Sequence, residues 1–277
     1  MLLKFQKNEI TEYFVYSKLS KIDKANSDIL RKIALDELKH YEKLKSRTGK
    51  EAKPNNFKVF FYLLIAKFLG ITFALKLMEQ NEDKAQLSYK KSNEKLFEEI
   101  IKDEEEHEKT LLSLVNEERI EYIGSMVLGL NDALVELTGA LAGLTLAIQK
   151  TAIVALSGII TGIAAALSMS ASDYLSRKSE GSEKKPLKSA LYTGIAYIIT
   201  VLFLTFPYLV FVNPFVALAM TVCNAILVIF VFTFFVSVVK EQNFKKNFLE
   251  MTSISMGVAA VSFFIGLLVK KFFNIEL

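Results

Sequence analysis

At 277 residues, with 52% apolar and 23% charged side chains, the chain is long enough for one or two domains. A net charge of only +4, with bases interleaved among acids, excludes a nucleic-acid-binding stripe. The single cysteine, Cys223, excludes an intramolecular disulfide framework and a thiolate metal cluster within one chain, and its apolar surroundings predict a small buried residue.

Charge and apolarity are segregated. Charges are dense from residue 1 to 122, and long apolar runs dominate from 123 to 277. The first ten residues lack the apolar core of a signal peptide, so the N-terminal half is expected to stay on the side where it is made. That half predicts helices over roughly Phe5–Lys21, Asn26–Thr48, Asn56–Asn81 and Asp83–Glu117. Turn signals separate them at Asp23 and Asn26, at Gly49 with Pro54, and at Asn81 to Asp83. Four helices with short connections predict a bundle, here domain 1–120.

The only two histidines lie in one repeated pattern, Asp36-Glu37-Leu38-Lys39-His40 and Asp103-Glu104-Glu105-Glu106-His107. Glu and His at i and i+3 point from one helix face, the spacing used to present metal ligands inward from a bundle. Glu12 precedes Glu37 by 25 residues, and Glu79 precedes Glu104 by 25. Glu12, Glu37 and His40 therefore map onto Glu79, Glu104 and His107 with a shift of 67. Each Glu alone reads as part of a solvated helix face. Two Glu-x-x-His motifs that use every histidine, at equal spacing from a partner Glu, point instead to metal. Four carboxylates and two imidazoles suit iron or manganese rather than structural zinc. Glu9, one turn before Glu12, is its rival for that position. Asp36, Asp103, Glu105, Glu106 and Glu108 are expected to support the ligands or to face water.

These residues resemble the ferritin-like, rubrerythrin-type superfamily over roughly residues 5 to 117. The resemblance implies a four-helix bundle with a di-iron centre, with manganese as an alternative metal. No four-cysteine rubredoxin-like module accompanies it. Within this half, Phe57–Leu77 is apolar, but Lys58, Lys67 and Lys76 interrupt it every nine residues. The uninterrupted runs fall short of the ~20 residues a span needs, so a core helix with extra apolar surface is expected.

The second domain, 121–277, predicts five spans at about 123–148, 151–171, 188–207, 212–239 and 252–273. The loop from Ser172 to Leu187 and that from Lys240 to Glu250 are basic, whereas Pro207 to Pro214 has no Lys or Arg. Alternation of this kind places the basic loops and the N-terminal domain in the cytoplasm of a multi-pass cell-membrane protein. The first span, Leu128 to Ile148, carries Asn131, Asp132 and Glu136. Ionisable groups at membrane depth mark an ion path, and residues four apart share a helix face. Gly139 and Gly143, then Gly158, Gly162 and Ala166, give small-residue spacing for close helix packing.

The run GLNDALVELTGALAGL, followed by SMSASDYLS at the end of the next span, is similar to the vacuolar iron transporter family of ferrous iron and manganese transporters. The resemblance covers about residues 120 to 275. It implies five spans, a homodimer with the path at its interface, and exchange of Fe(II) or Mn(II) for protons. By match to its motifs, Asp132 and Met169 line the path, Glu136 takes the glutamate position one turn on, and Asp173 stands where the family usually has Glu. The loop between the second and third spans lacks the Glu- and Met-rich insert of eukaryotic members, so the ferritin-like domain is expected to collect the metal. The whole is thus an all-α chain, a ferritin-like bundle followed by a five-helix membrane domain, read primarily as a transporter without catalytic residues. The competing reading is a membrane-anchored di-iron ferroxidase or peroxide-reducing enzyme.

Overall fold

A computed structural model describes residues 2–89, 95–113, 122–181 and 185–273. All of its elements are helices. The chain divides into two compact units, Met1–Glu117 and Glu118–Leu277.

In the first unit, α1 (Leu2–Ile22) packs chiefly on α2 (Ser27–Thr48). Gly49 ends α2 in the left-handed conformation at φ 62°, and its N–H caps the carbonyl of Lys45. The Asn55 side chain accepts from the Lys58 N–H and starts α3 (Asn56–Leu69). The Thr11 hydroxyl oxygen accepts from the Asn55 N–H at 3.0 Å, tying the start of α3 to α1. Then come α4 (Ile71–Tyr89) and α5 (Lys95–Ser113).

The predicted third helix is therefore two helices. It breaks at Gly70, whose φ of 102° with ψ of 154° is open to glycine and strained for any other residue. The predicted break at Asn81 to Asp83 does not occur, because α4 runs through it. Asn and Asp cost a helix only about 0.6 kcal/mol each, too little to end one that is packed elsewhere. Residues 90–94 and 114–117 of the fourth predicted helix lie outside the described residues. The core of this unit includes Val15, Leu19, Leu30, Leu44, Phe73 and Ile100, all fully buried.

Among the described residues the second unit holds five helices long and apolar enough to cross a membrane: α6 (Ile123–Ile148), α7 (Thr151–Ser179), α8 (Pro186–Val210), α9 (Pro214–Val239) and α10 (Phe244–Phe273). Gln149 adopts φ 53° and caps α6 through its N–H to the Thr145 carbonyl, giving the tight turn into α7. Pro186 and Pro214 open α8 and α9, where a missing N–H costs nothing. The last helix starts about eight residues earlier than predicted. The Asn243 side chain caps it by accepting from the Lys246 N–H, so Lys245 and Lys246 lie on its first turn rather than in a loop. Lys184 and Glu183 of the preceding basic loop lie outside the described residues. Cys223 is exposed on α9, not buried as expected. An outward position on so apolar a helix still gives a thiol apolar surroundings when lipid is the solvent.

The core of this unit joins Leu134, Leu137 and Leu141 of α6, Val154 of α7, Tyr197, Val201 and Leu204 of α8, and Ile229 of α9. The small residues have specific partners. Gly139 faces Ser262 of α10, Gly158 faces Leu141, and Gly162 faces Val201. A side chain on Gly266 would strike the carbonyl of Gly143, so α6 and α10 approach backbone to backbone there. Gly266→Val is expected to cost about 1–3 kcal/mol by overpacking. Thermal unfolding of the membrane unit should show the loss, and metal binding by the first unit should not change.

Candidate metal and ion-path sites

The first site is built by α1, α2 and α5. Glu9, Glu37, His40 and Glu104 are buried, and one ligand atom from each lies within 4.8 Å of the others. His40 Nδ1 stands 3.5 Å from Glu9, 3.7 Å from Glu37 and 3.4 Å from Glu104. His107 Nδ1 stands 3.4 Å from both Glu37 and Glu104. The two rings lie with centroids 6.2 Å apart. Their outer nitrogens mirror each other: His40 Nε2 meets Asp103 at 3.1 Å, and His107 Nε2 meets Asp36 at 3.4 Å. Each histidine is thus oriented by the aspartate that precedes the opposite Glu-x-x-His. This fixes the ring so that Nδ1 faces the carboxylates.

The electrostatics fit a cation. Burial alone would push Glu37 up, but its contacts with His107 and His40 hold it down at about 2. Burial also opposes charge on the rings. It is outweighed at His107 by Glu104 and Glu37, which raise it to about 10, and His40 is raised still further. Burial, with the charges of Glu37 and Glu104 behind it, pushes Glu9 up to about 8. Without metal, protons on the rings and on Glu9 supply the positive charge that three crowded carboxylates require. Glu37, Glu104 and both Nδ1 atoms include buried polar atoms that form no hydrogen bond. Buried polar atoms are rarely left so, and oxygen and imidazole donors suit iron or manganese.

Metal must displace the ring protons, so binding should release protons and weaken as pH falls. Calorimetric titration with Mn(II) in buffers of different ionisation enthalpy is expected to show that release. For the metal-free protein the signs run both ways. The contribution of Glu37, lowered from 4.5, is present above that value and is lost as pH falls towards 2. The contribution of His107, raised from 6.5, is present below that value and is lost as pH rises towards 10. The contributions of Glu9 and Glu12, both raised from 4.5, are likewise lost as pH rises above that value, so metal-free stability of this unit should be greatest close to 4.5 and fall on either side.

Of the residues predicted from sequence, Glu9, Glu37, His40, Glu104 and His107 come together. Glu12 is half-buried at the edge of the group. Burial raises its carboxyl well above its ordinary value, and the charges of Glu9, Glu37 and Glu104 add to this. Glu79 is half-buried on α4. Glu105 and Glu106 are exposed, and the Glu108 side chain lies outside the described residues. The orienting roles of Asp36 and Asp103 were signalled by the duplicated Asp-Glu-x-x-His.

The second site lies on α6. Asp132 and Glu136 fall on either side of the middle of this 26-residue helix. Tyr197 of α8, fully buried, donates its hydroxyl to Glu136 Oε2 at 2.9 Å. Glu136, Tyr197, Thr161 of α7 and Ser262 of α10 line a cavity of about 460 Å³. Met169 is half-buried on α7 and packs against the core. Asn131 lines a separate cavity of about 280 Å³ with Asn247, Glu250 and Met251. Asp173 belongs to neither group. It is buried, accepts from Ser189 at 2.6 Å and Thr193 at 3.0 Å, and meets Arg177 Nε at 3.4 Å. Ser125 joins through Ser189 at 2.6 Å, so Asp173 ties α6, α7 and α8 together. Ser189, Thr193 and Tyr197 escaped sequence reasoning. Their spacing of four on an apolar helix is a polar stripe that could have revealed them.

No curated protein sequence matches the chain. A family model matches residues 123–183 and 180–267, more than half of the chain, and spans the helices that carry Asp132, Glu136, Met169 and Tyr197. With that match, and with five helices among the described residues long and apolar enough to cross a membrane, the chain belongs to the VIT family, membrane transporters of iron or manganese.

Proposed function

We propose that this protein exports Fe(II), with Mn(II) as a second cargo, from the cytoplasm in exchange for protons. The observation that carries this reading is the pair Asp132 and Glu136 at the middle of α6, with Tyr197 bonded to Glu136. A charged side chain at the bilayer centre costs about 2.5–3.5 kcal/mol on insertion scales. Glu136 is exposed on the single chain. A carboxylate there needs a polar neighbour, and a second copy presenting the same face would supply one while enclosing a path between the copies. Asp132 and Met169 take the cation, and the carboxylates exchange protons for it. The basic loops of this multi-pass protein support a cytoplasmic N-terminal unit.

That unit is read as a ferritin-like di-metal bundle that collects the ion. Glu9 or Glu12, Glu37, His40, Glu79, Glu104 and His107 would hold two iron ions, which when bound supply redox chemistry. The protein's own part is to present Nδ1 and carboxylate oxygens inward and to release ring protons. The second reading, in which iron is oxidised at this bundle, rests on the same buried carboxylate–histidine cluster.

The test is Fe(II) entry into liposomes under an imposed pH gradient. Gradient-dependent flux is expected. Its absence from folded, correctly oriented protein, together with oxygen or peroxide consumption, would favour the oxidase.

A further inference from the structure

Helix α3 is amphipathic in an unusual sense: the face it turns outward is the more apolar one. Val59, Tyr62, Ile65 and Ala66 are buried. Phe57 is 74% exposed, Phe60 62%, Phe61 42% and Leu64 41%. At about 100° per residue these four fall on one stripe, within about 60° to one side of Phe57 and 40° to the other. Phe68, 66% exposed, continues it. Water is a poor solvent for such a stripe, and contiguous exposed apolar patches mark interaction surfaces.

The charges beside the stripe select the partner. Lys58 and Lys67, both exposed, sit about 100° to one side of Phe57 and about 80° to the other. They flank the stripe on both edges, where long aliphatic stems can lie along an apolar surface while the ammonium groups reach anionic headgroups. No acidic residue occurs in α3, and Lys53 adds a further exposed positive charge before it. A second copy docking by the same face would bring like charges together. A bilayer would not, and the five spans of the same chain guarantee one. At 14 residues, α3 is about 21 Å long, too short to cross.

We infer that α3 is an interfacial helix, seated by Phe57, Phe60, Phe61 and Leu64 in the headgroup–acyl boundary of an anionic bilayer, with Lys58 and Lys67 at the headgroups. The bond from Asn55 to Thr11 ties this helix to α1 one residue from Glu12 and two from Glu9. Docking thereby holds the α1 side of the carboxylate–histidine cluster close to the membrane surface. The inference rests on the spans and on α3, and is independent of cargo, direction and coupling.

The chain contains no tryptophan, so one introduced indole reports alone. Full-length Phe60→Trp protein, with Phe61→Trp as a second probe, is placed in nanodiscs containing phosphatidylglycerol. Leu35→Trp on α2, 51% exposed, serves as the aqueous reference. Lipids brominated near the headgroup end of the acyl chains should roughly halve the emission of both α3 probes and leave Leu35→Trp unchanged. Aqueous iodide should do the reverse. Adding Lys58→Gln and Lys67→Gln should weaken docking roughly fivefold for each positive charge lost. Equal iodide quenching at α3 and at Leu35→Trp, with none by lipid, would overturn the inference. So would probes shielded from both quenchers, which would mean that protein covers the stripe.

Discussion

In liposomes, Asp132→Ala is expected to abolish proton-driven Fe(II) flux while the protein stays folded. Removing one carboxylate from a cation held in a low-dielectric path leaves charge uncompensated, at a cost of about 3–5 kcal/mol. In a rate, that is on the order of 150- to 5000-fold. Asp132 is half-buried on α6 and lies outside the cluster of core leucines, so its truncation removes no packing from that cluster. Tyr197→Phe should fall between wild type and Asp132→Ala. It removes one hydrogen bond to a charged group, worth about 1.5–3 kcal/mol, and leaves the ring in place. Flux in Asp132→Ala equal to that of wild type would remove this residue from the path and return the function to the N-terminal unit.

The second large effect is expected at Glu37. Like Glu104 it contacts both histidines, at 3.7 Å from His40 and 3.4 Å from His107, and it is almost fully buried. In the wild-type protein, saturating Mn(II) should protect backbone amides of α1, α2 and α5 from hydrogen exchange. Ligand at about 100 times its Kd stabilises by about 2.7 kcal/mol. In Glu37→Gln, which keeps the side-chain volume, that metal-dependent protection should vanish. Glu105→Gln, at an exposed position one residue past Glu104, should retain it. Protection that persists in Glu37→Gln would show that the metal binds elsewhere.

Comparison of particular residues shows how far the sequence carried these sites. His40 and His107 were legible because they are the only histidines, each three residues after a glutamate. Glu9 was not settled. The shift of 67 that pairs Glu12 with Glu79 pairs Glu9 with Lys76, so repetition favoured Glu12. Proximity favours Glu9, 3.5 Å from His40. A repeat records which residues correspond. It does not record how a helix is rotated about its axis, and one turn of α1 separates these two carboxylates. Asp173 shows the same limit. Its motif position suggested a place along the path, yet Ser189, Thr193 and Arg177 engage it, two of them from a helix begun more than ten residues later.

By itself, the sequence determined the segregation of a charged helical half from a membrane half, the number of apolar helices, the carboxylates at the middle of α6 and the repeated metal motif. These follow from local rules: hydrophobic run length, helical periodicity and the cost of charge in lipid. Only the tertiary structure decided the break at Gly70, the pairing of each histidine with the aspartate of the opposite motif, the bond from Tyr197 to Glu136, and the outward turn of the phenylalanines of α3. Each depends on which face of a helix meets its neighbour. Packing against distant segments sets that rotation, and no spacing within one helix encodes it.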